Sequence, residues 1–514
     1  MTPQTMDPQA LAAHVAALEA HSRTREERIG LLEEENRWLK SQLFGRSSEK
    51  STIEDISPDQ TWLFNETEAL VEAAEAATQS ITIAAHVRDR RGRKKLAADL
   101  PRVEVVHELP ESEKICSADG TVLERIGEEV SEQLHYQPAQ VSVIRNIRPK
   151  YACPCCHAGV KIAPVPLQLL PKSIATPALL AHITTAKFVD GLPFYRQEVQ
   201  FDRLGIPLGR ATMAGWQIQL GGVHVVPIIN LMNEVLLEAT LIHCDETRLQ
   251  VLKSDKAPTA DHWIWVRAAG PPGRRIVLFD YDASRGGAVP LRLLQGYRGI
   301  LLTDGYKPYA EVAAALGLVH AGCMAHARRR FEAARSASEA AVGGYARVAL
   351  EFIRELYRID TPLWDPAHPC TPEQRLRIRA ERSVPVVDKF RAWLEALAPQ
   401  VLPQSLLGKA VYYSLGQWSK LTRFLQHGEV PLDNNRCENA IRPFVIGRKA
   451  WLFNDTVKGA VASANLYSIV ETAKANNIEP HAYLSHLFTK LPYAKTVGDF
   501  EALLPWNANI TTRL

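Results

Sequence analysis

Two aspartates and one distant glutamate are the residues of this sequence best suited to shared chemistry. Asp245 ends the apolar run Leu241-Ile242-His243-Cys244, Asp304 follows Ile300-Leu301-Leu302-Thr303, and Glu438 lies far downstream in Asn434-Asn435-Arg436-Cys437-Glu438. A carboxylate at the tip of an apolar strand carries a desolvation cost unless something compensates it. Three carboxylates gathered at one point also repel one another, and a divalent cation relieves both penalties. Mg2+ is a hard ion that prefers oxygen ligands. Two such ions about 3.5–4 Å apart suit displacement at a phosphodiester, because one activates the attacking oxygen and the other stabilises the leaving oxygen. Mg2+, or Mn2+ in its place, is the cofactor the trio implies. Each residue also has an ordinary reading: Asp304 in Thr-Asp-Gly-Tyr as a turn residue, Glu438 as the far end of a capping box begun by Asn435, and Asp245 as the ion-pair partner of a nearby arginine.

Such a trio needs a scaffold, and residues 239–336 read as one. ATLIHCDETRLQVL, HWIWVRAA and RRIVLFDY are three consecutive strands, followed by a helix near 287–295. GILLTD is a fourth strand, then a helix near 307–316; LVHAGC is a fifth, then the helix MAHARRRFEAA. The order β-β-β-α-β-α-β-α is that of a ribonuclease-H-like layer, in which the first and fourth strands are neighbours. That adjacency would bring Asp245 and Asp304 together. Residues 337–430 form a helical insertion, with Val348, Phe352, Leu356 and Ile359, and then Val386, Phe390, Trp393, Leu394 and Leu397, at helical spacing. A turn then feeds the helix carrying Glu438, so the catalytic core spans 239–336 and 431–452, and 453–514 is a C-terminal helical region with helices near 458–476 and 480–490.

Around the trio lie groups suited to phosphate. Arg442 sits four residues after Glu438 on the same helix face, and Asn435 three before it. With Arg448 and Lys449, Arg442 could hold DNA phosphates. His326, in Cys323-Met-Ala-His326, could touch DNA or support the carboxylates, or be a buried structural histidine; Cys-x-x-His by itself is a poor metal motif.

The front of the chain reads as attachment and assembly. Leu11, Val15, Leu18, Ser22, Arg25, Ile29, Leu32, Asn36, Leu39 and Leu43 form a heptad seam within 8–45, with Asn36 at a register-setting position. It predicts a homo-oligomeric coiled coil, the alternative being an amphipathic helix packed on its own domain. Residues 46–110 are a linker. Within it Arg88, Arg90, Arg91, Arg93, Lys94 and Lys95 form a basic arm able to neutralise phosphates, or a solvated linker that binds nothing. Residues 111–163 form a small zinc-ribbon-like cysteine module. Cys116, Cys153 and Cys156 are candidate zinc ligands, and Asp119 stands where a second thiolate is expected. A bound zinc and a metal-free relic both fit. In the helical segment 173–220, PFYRQEVQFDRLGIPLGRATMAGWQIQL has the shape helix, Gly205 turn, helix. Phe194, Val199, Phe201 and Leu204 would pack one side and Met213, Trp216 and Ile218 the other. This is either a helix-turn-helix offering Arg210, Thr212 and Gln217 to a groove, or an ordinary helical hairpin.

Bulk properties restrict the class. The 514 residues suggest several domains in a multidomain α/β protein. The net charge of +3 means that any nucleic-acid surface is local. No run approaches the roughly 18 apolar residues of a membrane span, and no secretory signal begins the chain, so a cytoplasmic, nucleoid-associated location is expected.

Taken together, these motifs resemble the transposases of the insertion-sequence-sixty-six family, a DDE class. The likeness runs nearly end to end. It includes Leu43-Phe44-Gly45-Arg46-Ser47-Ser48-Glu49-Lys50, the basic arm, Leu134-His135-Tyr136-Gln137-Pro138-Ala139, His243-Cys244-Asp245-Glu246-Thr247 and Thr303-Asp304-Gly305-Tyr306. It closes with Asp433-Asn434-Asn435, Glu438, Ile441-Arg442-Pro443, Gly447-Arg448-Lys449 and Leu503-Leu504-Pro505-Trp506-Asn507. The resemblance implies bacterial origin, cleavage at terminal inverted repeats and joining of the freed 3′ ends to target DNA. It also implies accessory proteins of the same element. Asp119 departs from the family's zinc module, which has a cysteine there. Two other readings compete: a catalytically silent DNA-binding protein, and a nuclease that cuts without joining.

Overall fold

One long strand organises the larger part of the fold. In this computed structural model, β3 (Leu241–Lys253) is flanked on both sides, and its buried residues include Ile242, Cys244, Leu249 and Val251. The structure describes residues 141–152, 160–337, 340–508 and 510, with most of 18–40. Two units divide the chain. The smaller, 71–166, contains among its described residues an antiparallel pair, β1 (Lys150–Ala152) and β2 (Val160–Ile162), with Arg148 donating to the Ala163 carbonyl at 2.8 Å.

In the larger unit, β4 (Asp261–Ala269) and β5 (Ile276–Asp282) extend the sheet from β3 as an antiparallel meander. On the other side β6 (Ile300–Thr303) and β7 (Val319–Gly322) add parallel to β3, giving the order β5-β4-β3-β6-β7. The far end of β3 also pairs with β8 (Asn454–Thr456), a short strand absent from the sequence expectation.

Both faces of this sheet are covered, as the alternation of side chains along β6 makes plain. Leu301 points into one apolar core, and Ile300 and Leu302 into another. The first core includes residues of α1 (Pro177–Phe188), α2 (Phe194–Arg203), α3 (Arg210–Gln219) and α4 (Val226–Leu237). The second is built by α5 (Met324–Ala337) and the insertion helices α6 (Ala340–Asp360), α7 (Val384–Leu397) and α8 (Leu406–Gly416). The insertion is therefore the covering layer of one sheet face. Its buried Arg379 bonds Asp360 at 2.7 Å and the Phe424 carbonyl at 2.8 Å, which pins its turns together.

The chain then returns to the first core through α9 (Asn435–Trp451), α10 (Val457–Ala475) and α11 (Pro480–Lys490). Helix α10 protects the β5 edge. Ser468 and Thr472 accept from the Phe279 and Val277 amides at 2.8 and 3.0 Å, and Asn476 accepts from Arg275 at 2.9 Å. An edge whose backbone groups are bonded cannot recruit a foreign strand.

Several sequence expectations need correction. Val199 and Leu204 are exposed rather than packed, at 51% and 53%, because α2 buries only its Gln197 and Phe201 side. Gln217 does not face a groove; it is buried, and its Oε1 accepts from the Thr184 hydroxyl at 2.9 Å. Gly205 does turn the chain, with φ +74°. Of the heptad seam, Leu18, Ile29, Leu32 and Leu39 are exposed, while Arg37 Nε donates to the Ala337 carbonyl at 3.0 Å. Leu11, Val15 and Leu43, the basic arm at 88–95, and Cys116, Asp119, Cys153 and Cys156 lie outside the described residues. No single described helix is long and apolar enough to cross a membrane.

Candidate active site

Strand register brings the two aspartates level. The parallel ladder pairs Leu241 with Ile300, Ile242 with Leu301 and His243 with Leu302. Two residues beyond the last pair stand Asp245 and Asp304, on neighbouring chains that in a sheet run about 4.8 Å apart. Each is shaped by its own backbone. Asp245 Oδ1 accepts the Glu246 N–H at 2.8 Å, and Asp304 Oδ1 accepts the Tyr306 N–H at 2.9 Å.

Glu438 enters from the first turn of α9, 3% exposed and near enough to affect the charge of Asp245, although ligand oxygens of the three carboxylates do not all lie within 4.8 Å of one another. The capping box considered from sequence does not form. Asn434, not Asn435, is the N-cap, and its side chain serves the sheet instead: Nδ2 donates to the Cys244 carbonyl at 2.9 Å and Oδ1 lies 3.0 Å from His243 Nδ1. These bonds tie the start of the glutamate helix to the residues just before Asp245. Burial, with Arg436 nearby, lowers the His243 pKa to about 3, so the ring is neutral. Burial, then the negative charges of Glu246, Glu438 and Asp304, holds the Asp245 carboxyl well above the usual carboxylate range. A carboxyl raised by its acidic neighbours marks a place where a multivalent cation would be stabilised.

The matches to known proteins identify the family. A family model described as "Transposase IS66 family" matches residues 172–462, more than half of the chain. The chain belongs to this family. Three companion models fill much of the rest: "Transposase C of IS166 homeodomain" over 31–105, "zinc-finger binding domain of transposase IS66" over 113–157 and "IS66 C-terminal element" over 468–506. Two relatives from Sinorhizobium fredii strain NGR234, y4jD and y4qI, are each 32% identical, covering 91% and 97% of this chain and 93% and 92% of their own. A third, y4hP, is 30% identical over 86% of this chain and 81% of its own. All three are named only as uncharacterized proteins. The family makes this a transposase whose partner is DNA, with a zinc-finger segment where the cysteine cluster lies.

Within this transposase the supporting residues differ from those foreseen. Among the described residues no arginine ion-pairs with Asp245. Arg285 pairs instead with the next residue, Glu246, through Nε at 3.0 Å and Nη2 at 2.8 Å, and Tyr309 donates to the other Glu246 oxygen at 2.6 Å. The Arg285 guanidinium lies over Tyr306 and Trp263, 4.2 and 4.6 Å from the ring centroids, and its carbonyl accepts from the Tyr306 hydroxyl at 2.9 Å. Glu246 follows Asp245 in β3 and Tyr306 follows Asp304 by two, so this cluster links the strand at Asp245 to the turn after Asp304. Glu246 gave a signal in the sequence, an acid at a strand position alternating with Asp245; Arg285, in a loop, gave none.

Arg329 also escaped notice. It ion-pairs with Glu438, whose other oxygen lies 3.6 Å from His326 Nδ1. His326 thus stands beside the carboxylates. Arg448 is turned inward, bonding the Arg248 carbonyl and approaching Thr247 Oγ1 at 3.4 Å, so it braces β3. Arg442 is half-buried, and Lys449 is exposed. Arg210 is exposed at the start of α3, its amide bonded to Glu198 at 2.9 Å.

Proposed function

We propose that this transposase cleaves the terminal inverted repeats of its own insertion sequence and joins the freed 3′ hydroxyls to target DNA. Asp245, Asp304 and Glu438 would hold Mg2+, or Mn2+, on a ribonuclease-H-like core. The observation that carries this reading is that Asp245 and Asp304 each stand two residues beyond the last pair of one parallel ladder, with Glu438 near enough to raise the Asp245 carboxyl. The strand order, three antiparallel strands followed by two parallel ones added beside the first, supports the fold assignment. The donor set is all oxygen, which suits a hard divalent ion. Bound there, such ions supply Lewis acidity to the attacking and leaving oxygens.

The chain's own groups do the rest. Asn434 sets where α9 begins and so where Glu438 enters. The Glu246–Arg285–Tyr309 cluster fixes the spacing of the aspartates, and Arg329 neutralises Glu438 until a cation arrives. Arg442 and Lys449 track the phosphates beside the scissile bond. Ahead of the core, the basic arm, the zinc module with Cys116, Cys153 and Cys156, and Arg210 on the α2–α3 pair grip the ends. The exposed apolar seam at 18–40 assembles copies of the chain as a coiled coil. The reaction takes place in the cytoplasm, where the element's DNA lies, with help from the element's accessory proteins.

Strand transfer with end-containing DNA and Mg2+ or Mn2+ tests the assignment. Asp245→Asn and Glu438→Gln are each expected to reduce joining by on the order of a thousandfold, about 4 kcal/mol of barrier, with DNA binding intact. Full activity in Asp245→Asn overturns it.

A further inference from the structure

Both Glu438 oxygens face residues of α5. Arg329 bonds Oε2, whereas His326 Nδ1 lies 3.6 Å from Oε1. Beside this pair lies Cys323, the residue between β7 and α5. One ligand atom from each of Cys323, His326 and Glu438 falls within 4.8 Å of the others. The Asn434 amide donates to Cys323 Sγ at 3.1 Å, which fixes the sulfur; burial holds the thiol well above its usual range, so an arriving cation would have to displace its proton. We propose that Cys323, His326 and Glu438 form a second metal site of softer character, taking Zn2+ or a similar borderline ion, and that it shares Glu438 with the carboxylate pair.

The donor chemistry separates the two sites. Thiolate and imidazole suit Zn2+ and Co2+, whereas Mg2+ takes oxygen ligands and leaves a thiolate alone. The spacing is close to what such an ion needs. Bond lengths of about 2.0–2.3 Å at tetrahedral angles put neighbouring ligand atoms about 3.4–3.6 Å apart, so a contraction of at most about 1.4 Å closes the site. Three protein ligands leave the fourth position for water. The fold supplies the arrangement from two distant segments: Cys323 and His326 share the start of α5, and Glu438 comes from the first turn of α9. The Met324 amide bonds the Leu432 carbonyl at 2.8 Å, which locks the entry of α5 to the segment leading into α9. A positive charge already belongs here, since Arg329 pairs with Glu438 and lies 3.3 Å from His326 Nε2. A divalent ion takes over that role, and the guanidinium swings off.

The consequence is antagonism. A Glu438 engaged by Zn2+ is withdrawn from Asp245 and Asp304, so micromolar zinc would switch strand transfer off while Mg2+ sustains it. The binding stands apart from the proposed function; the inhibition rests on it.

Co2+ titration of the full chain tests the binding, read as thiolate-to-cobalt charge-transfer absorption and as equivalents bound. Wild type is compared with Cys323→Ser, His326→Gln and Asp245→Asn, each checked by its unfolding temperature. The zinc-finger cysteines contribute equally in all four, so only differences count. The expected result is a weaker thiolate-to-cobalt band in Cys323→Ser and His326→Gln, with the band of Asp245→Asn matching wild type whatever its stoichiometry. Equal charge-transfer absorption in all four proteins overturns the site, as does a loss of that band in Asp245→Asn as large as in Cys323→Ser. Inhibition of Mg2+-supported strand transfer by ZnSO4 tests the sharing. The half-inhibitory zinc concentration is expected to rise about tenfold or more in Cys323→Ser. An unchanged concentration overturns the sharing, and inactivity of wild type at every Mg2+ and Mn2+ concentration overturns the transposition chemistry without touching the cobalt result.

Discussion

Removing Arg285 should damage this protein more than neutralising the glutamate it holds. The Glu246 side chain is 2% exposed, and the Arg285 side chain is 40% exposed. Arg285→Met leaves a buried carboxylate with the Tyr309 hydroxyl as its recorded side-chain donor. Breaking a fully buried pair in this way costs about 3–5 kcal/mol. Because water reaches Arg285, the cost falls to about 2–3 kcal/mol. Glu246→Gln is milder. The amide oxygen still accepts from Tyr309, the half-exposed guanidinium rehydrates, and the loss is about 1 kcal/mol. In the double variant the stranded charge disappears, so its cost falls below the sum of the singles by about 1–2 kcal/mol. At about 2 °C per kcal/mol for a unit of this size, scanning calorimetry should find unfolding lowered by about 4–6 °C in Arg285→Met and about 2 °C in Glu246→Gln. Joining should fall in both, more in Arg285→Met, since the cluster links the strand at Asp245 to the turn after Asp304. Equal shifts in the two single variants, or additive shifts in the double, would refute the reasoning.

Three further outcomes follow from other parts of the molecule. Gly305 follows Asp304, and a Cβ there would lie 2.6 Å from the Tyr413 ring, so Gly305→Ala should cost about 1–3 kcal/mol by overpacking and weaken joining while DNA binding, measured by gel shift, persists. Lys187 is buried under the faces of Phe194 and Trp451, 4.4 and 5.2 Å away, and burial lowers its pKa from 10.5 to about 8. Between those values the unfolded chain holds a proton that the folded one has released, so stability rises with pH from about 8 to 10.5. The gain is about 2–3 kcal/mol after allowing for the ring faces that favour the ammonium, and Lys187→Met should flatten this rise in pH-resolved thermal unfolding. Deleting residues 1–44 should lower the oligomeric state seen by sedimentation while leaving the unfolding transition of the core; an unchanged state would remove the coiled coil from the assembly.

Sequence by itself determined the order of elements and the two strands that matter. Apolar runs ending in acid marked Asp245 and Asp304, because a strand buried on both faces reads as a continuous hydrophobic stretch; that β3 continues past Asp245 to Lys253 follows from its pairing with β4. The helical insertion was legible from its 3.6-residue spacing. Local pattern, however, carries no information about partners far along the chain. The Asp245–Asp304 register, Arg285 on Glu246 across 39 residues, Arg329 on Glu438 across 109 and the Asn434 bridge to Cys244 across 190 are products of packing. The inward turn of Arg448, the burial of Gln217 and the pairing of β8 with β3 belong to the same class. Residue type and spacing named the acids; tertiary structure decided which bases and amides surround them, because desolvation in a packed core makes each buried charge find whatever partner the fold brings within reach.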